Sequence, residues 1–122
     1  MEAQQRDSLR DLFLGTAAFY ERFGYVPQLT DSITNFREET RELIEAAEDG
    51  SNIGHIAEEA ADVFVTAIGV CMARGVDIDV LVEQVYAVID KNDAKTHDTH
   101  IYIDGKIRRR SSLKRSDDGA TP

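Results

Sequence analysis

The sequence has no tryptophan, only two prolines and a single cysteine in 122 residues. One cysteine cannot close an intrachain disulfide, and Cys71 sits in an apolar run, so a reduced, buried thiol is the expected state. With one cysteine and three scattered histidines, a zinc site is poorly served. No apolar run approaches the roughly eighteen residues a membrane span needs. The opening MEAQQRDSLRDLF also lacks the basic-then-apolar order of a signal peptide. These absences lead us to expect a soluble cytoplasmic protein without a membrane partner. With 42% apolar residues, the chain has enough material for one compact domain.

Basic charge is scarce over most of the chain. Residues 1–105 hold 8 Lys and Arg against 21 Asp and Glu, whereas residues 106–122 hold 6 against 2. An acidic body repels nucleic acid and attracts divalent cations, and through them phosphates. Nucleic acid is therefore not an expected partner, and the basic KIRRRSSLKR tail reads most simply as a solvated terminus.

Four helical segments are legible. Residues 7–23 carry Leu9, Leu12, Phe13, Ala17 and Tyr20 at helical spacing. A second helix is expected from about Asp31, capped by Thr30 or Asp31, to Gly50. A third should run from about Asn52 to Arg74 with Gly75 at its end, and a fourth from Asp77 to about Lys95. Short connections favour antiparallel neighbours, so the expected fold is all-α, a bundle of four helices. VFVTAIGVCMA (Val63 to Ala73) is apolar nearly all round, more than four short helices can cover, which predicts a subunit interface. Ile101 and Ile103 alternate ahead of Asp104-Gly105, the signature of a short C-terminal β-hairpin. Residues beyond Leu113 are expected to fray.

The chemistry-bearing pattern is a repeated one. On the second helix, Ile33, Phe36, Thr40, Leu43, Ile44 and Ala47 share one face, Glu38 and Glu45 fall opposite, and Glu39 and Glu42 form a strip along one flank. Glu59 and Asp62 repeat that spacing on the third helix, on a strip with His55 and Thr66. Side chains three apart on a helix lie roughly 5–6 Å apart, so each pair can share a cation. Either motif alone is an ordinary solvated face. Two of them on adjacent antiparallel helices bring four carboxylates together, and Mg²⁺ answers their repulsion with its demand for hard oxygen ligands. A di-iron bundle would need Glu-x-x-His pairs, which are missing. On the fourth helix, Ile78, Leu81, Val82, Val85 and Ile89 form a stripe that Asn92 joins. Lys91 and Lys95 flank it, as a phosphate grip would.

Glu38-Glu39-x-x-Glu42, Glu59-x-x-Asp62 and Lys91-Asn92-x-x-Lys95, in this order, resemble the all-α nucleoside triphosphate pyrophosphohydrolases, and their MazG-like branch in particular. The resemblance spans about residues 9–95. It implies a single MazG-like domain over 1–122, with a core at about 7–96 and the hairpin and tail at about 97–122. It also implies a homodimer or homotetramer, and Mg²⁺, or Mn²⁺ in its place, held by the catalytic carboxylates Glu39, Glu42, Glu59 and Asp62. Lys91, Asn92 and Lys95 would bind the substrate's phosphates and sugar. Phe19 and Tyr20, with Phe23, could stack on a base, and Pro27, Gln28 and Leu29 could close over it. The implied reaction takes a ribo- or deoxynucleoside triphosphate and water to the monophosphate and pyrophosphate, a nucleotide-pool role. Two alternatives stand beside it: phosphoribosyl-ATP pyrophosphohydrolase, and a non-catalytic helical dimer that binds a nucleotide or a protein partner. KNDAK and the histidine-free DVFVTAIGV favour the MazG-like branch over the phosphoribosyl-ATP enzymes.

Overall fold

The computed structural model describes residues 7–111; the expectation for residues beyond Leu113 lies outside them. Four helices, α1 (Ser8–Arg22), α2 (Leu29–Asp49), α3 (Ile53–Ala73) and α4 (Ile78–Asp93), precede an antiparallel hairpin of β1 (His100–Ile103) and β2 (Lys106–Arg109). The all-α reading with a terminal hairpin holds. Among the described residues no helix is long and apolar enough to cross a membrane. The chain divides into two compact units, the first ending at Val82 and the second beginning at Glu83.

In the first unit, each helix end has a local cause. Asp7 caps α1 by accepting from the Arg10 amide at 3.1 Å, and Asn52 caps α3 by accepting from the His55 amide at 3.0 Å. α1 and α3 close alike. The Tyr25 and Val76 amides reach back to Tyr20 and Cys71, while Gly24 and Gly75 adopt the left-handed conformation that such an ending requires. α2 begins at Leu29, directly after Pro27-Gln28, and no side chain caps it. The expected caps at Thr30 and Asp31 therefore lie inside the helix. Asp31 sits in the first turn, where its carboxylate complements the exposed amide dipoles.

α2 and α3 form an antiparallel pair about the short Gly50–Asn52 turn, and α1 packs on α3. Phe13, Ala46 and Ile68 are buried, with Thr16, Ser32 and Glu59. The inward face of α2 runs through Ser32 and Ala46 instead of Ile44 and Ala47, which are exposed. α3 approaches α1 closely at Gly69, where an added Cβ would lie 3.0 Å from the Tyr20 hydroxyl oxygen. Overpacking costs about 1–3 kcal/mol and alanine gains about 1 kcal/mol over glycine inside a helix, so Gly69→Ala is expected to destabilise the fold by up to about 2 kcal/mol. Adding Tyr20→Phe should recover part of that loss in a urea melt. The core leaves much apolar surface open: Phe64 is 58% exposed and Ile44 51%. Cys71 is half-buried and unpaired.

The second unit holds most of α4 and the hairpin. No residue of α4 is fully buried. Ile89 and Asn92, expected on a buried stripe, are exposed, and the asparagine meets its hydrogen-bonding needs through Lys95 and solvent. Asp104 and Gly105 both take positive φ (52° and 76°), which matches the right-handed twist of paired strands joined by two residues.

Candidate functional site

Glu42 and Glu59 are equally far from the α2–α3 turn, as are Glu39 and Asp62, so antiparallel packing places each pair at one level. Glu39, Glu42 and Glu59 each bring one carboxylate oxygen to a common point, all within 4.8 Å of one another. Glu59 is buried, and Glu39 and Glu42 are half-buried. Asp62 is half-buried beside the trio without belonging to it, and close enough to act on it electrostatically. Glu38 and Glu45 are exposed, as the helical wheel predicts, and Glu45 faces Arg41 across 4.0 Å.

The trio is electrostatically unsatisfied. Burial, then the charge of Glu42, then that of Asp62, raise the Glu39 pKa above the usual carboxylate value. Glu59 is raised by burial and then by Glu42, against a weaker opposing effect of His55. Among the described residues His55 is the basic group paired with the cluster, its Nε2 standing 3.7 Å from Glu59 Oε1. Sequence spacing placed it on this strip without giving it a role. One oxygen of Glu39 and one of Glu59, both Oε2, are buried without a hydrogen-bond partner among the described residues. A buried, unpartnered carboxylate oxygen costs free energy unless something positive meets it. A hard divalent cation is what this set of donors fits. An open cleft of about 480 Å³, lined by Glu42, His55 and Glu59 among others, gives access.

The aromatic candidates separate. Tyr20 packs inward, edge-on to Tyr25 at 4.9 Å, with its hydroxyl against Gly69, and burial raises its pKa. Phe19 stays 45% exposed, edge-on to Phe23 at 5.3 Å, with the Arg22 guanidinium 5.6 Å from its ring centre. Phe19 and Phe23 therefore offer more surface for stacking than the half-buried Tyr20. In the second unit Lys95 Nζ donates to Asn92 Oδ1 at 2.9 Å. Lys91 and Lys95 line a cleft together with residues of the hairpin, which sequence spacing did not single out.

The sequence model of the phosphoribosyl-ATP pyrophosphohydrolase family matches residues 8–89, which include the converging carboxylates. No curated protein and no solved structure gives a significant match. The chain belongs to that family, and with it to the nucleotide pyrophosphohydrolases.

Proposed function

We propose that this member of the phosphoribosyl-ATP pyrophosphohydrolase family is a Mg²⁺-dependent enzyme that cleaves a nucleotide's triphosphate to the monophosphate and pyrophosphate. The observation that carries the reading is the meeting of Glu39, Glu42 and Glu59 with two buried, unpartnered oxygens. In it, Glu39, Glu42 and Glu59 hold the ion, with Asp62 beside them. Mg²⁺, or Mn²⁺ in its place, supplies Lewis-acid polarisation of the attacked phosphate and acidifies water.

The remaining roles fall to the chain's own side chains. A carboxylate placed beside the attacking water would orient it and accept its proton, a role that falls to Glu39 or Glu42. Lys91 and Lys95 neutralise the charge that gathers on the departing pyrophosphate, and Asn92 holds phosphate or sugar. Phe19 offers the base an exposed ring.

Two substrate classes share this reaction. The family description favours phosphoribosyl-ATP, whereas KNDAK and the histidine-free DVFVTAIGV favour ribo- or deoxynucleoside triphosphates in a pool-cleaning role. Relative turnover of the two decides between them. A homodimer or homotetramer would cover Phe64 and Ile44. Sedimentation velocity is expected to show such a species, and a monomer at micromolar concentration would remove that part of the reading.

Metal linkage tests the site without any substrate. A ligand at about 100 times its Kd stabilises the folded state by about 2.7 kcal/mol. For a domain of this size that raises Tm by roughly 10 °C. Mg²⁺ should give a shift of that order and EDTA should reverse it; an unchanged Tm would refute the metal site.

A further inference from the structure

The chain's second unit contains a cleft of about 750 Å³, lined among others by Lys91 and Lys95 of α4, Thr99 and His100 at the start of the hairpin, and Arg109 and Arg110 at its end. Its size is that of a small-molecule site. Strand register builds one wall. His100 pairs directly with Arg109, and cross-strand partners share a face of a hairpin. Arg108, paired with Ile101, falls on the other face and is absent from the lining. Hydrogen bonds fix the open end of the hairpin to the turn after α4. The Arg110 amide donates to the Thr99 carbonyl at 3.0 Å, and Arg110 Nε donates to the His97 carbonyl at 2.6 Å. Thr99 Oγ1 accepts from the Thr96 amide at 3.2 Å.

The cleft is positive in an acidic protein. Against four cations it offers one carboxylate, Asp98. Among the described residues none of Lys91, Lys95, Arg109 and Arg110 has a carboxylate within 4.0 Å. His100 registers the same field: burial, then Lys95, then Arg109 lower its pKa. Like charges brought together without counter-charges are a cost that a bound anion removes. Their convergence around a cleft, in place of a strip along the surface, suits a compact polyanion better than a nucleic-acid strand.

We propose that Arg109 of β2 is a further phosphate-binding residue: in this cleft it joins Lys91 and Lys95, already assigned to the substrate's phosphates, in gripping the phosphate chain of a nucleotide. That the chain belongs to a nucleotide rests on the function proposed above; the cleft's capacity for a polyphosphate does not.

The test is calorimetric titration of the full chain with inorganic triphosphate in EDTA, accompanied by NMR titration of the His100 ring. Saturable binding is expected, with the His100 pKa rising as the anion offsets its cationic neighbours. Arg109→Ala should weaken binding about tenfold, the scale of one charge-assisted hydrogen bond. Arg109→Lys should recover part of that loss and covers the case in which the alanine variant misfolds. Arg108→Ala removes the same charge from the other face and should change Kd by less than about twofold, well under the scale of one such bond.

Equal losses at Arg108 and Arg109 would overturn the proposal, since they would mean diffuse charge. So would a lack of saturable binding, or an oligothymidylate that binds more tightly and is not displaced by triphosphate. Glu59→Gln separates the two readings. Retained triphosphate binding with turnover lost supports both, and retained binding with full turnover supports the cleft while refuting the metal site.

Discussion

Glu59→Gln is expected to lower turnover by on the order of 10²–10³-fold, the scale of losing one preorganised electrostatic group, while the metal-free protein melts at a higher temperature than the unmodified chain. Both effects have one cause. Glu59 is buried between α2 and α3, with one oxygen in the converging trio and Oε2 unpartnered. In the proposed site its carboxylate would hold the cation; without the cation it repels Glu42 and Asp62. The amide keeps the shape, removes the charge and can donate to the neighbouring carboxylates. Glu38→Gln is the matched control, because Glu38 lies on the same helix as Glu39 but is exposed, and it should retain nearly full activity. Turnover assays and melts in EDTA read both outcomes. A Glu59→Gln variant that turns over normally, or that loses helical signal together with activity, contradicts this role.

The second large effect is an inverted pH dependence of stability. Glu39 and Glu59 have pKa values raised above the ordinary 4.5. The folded state therefore binds their protons more tightly than the unfolded state, and stability falls as pH rises. The cost is absent below the ordinary value and complete above the raised ones. His100 acts in the opposite sense, since its lowered pKa adds stability as pH rises towards 6.5. The difference between the unmodified chain and Glu59→Gln isolates the carboxylate contribution. In EDTA the unmodified chain should lose stability relative to Glu59→Gln as pH rises above the ordinary carboxylate value of 4.5. Saturating Mg²⁺ should reverse the slope, because protons then compete with the ion for its ligands. Identical slopes with and without Mg²⁺, followed by thermal melts across that range, would count against a metal at the trio.

Local signals in the sequence located the helices, their glycine endings and the hairpin turn. Gly24, Gly75 and Asp104-Gly105 each act through their own backbone, so no tertiary information is needed to read them. The paired carboxylates were legible for a similar reason: their spacing fixes a strip on each helix, and a short turn forces the strips together. The errors arise where neighbours decide. The inward face of α2 includes Ser32 and Ala46, whereas Ile44 and Ala47 are exposed, a rotation that periodicity within one helix does not determine. Asn92 follows the periodicity of α4 but is exposed. Where the Tyr20 hydroxyl lies, against Gly69, is set by a tertiary contact that the sequence does not show. The pairing of His100 with Arg109 depends on strand register, which composition does not carry.

Product analysis tests the central claim most directly. The purified chain would be incubated with phosphoribosyl-ATP and with a panel of ribo- and deoxynucleoside triphosphates, each with Mg²⁺ or EDTA, and the products resolved by anion exchange. The account predicts pyrophosphate and the corresponding monophosphate in equal amounts, formed with Mg²⁺ and not with EDTA. Release of inorganic phosphate with a diphosphate product, turnover that persists in EDTA, or no turnover of any of these substrates would contradict it.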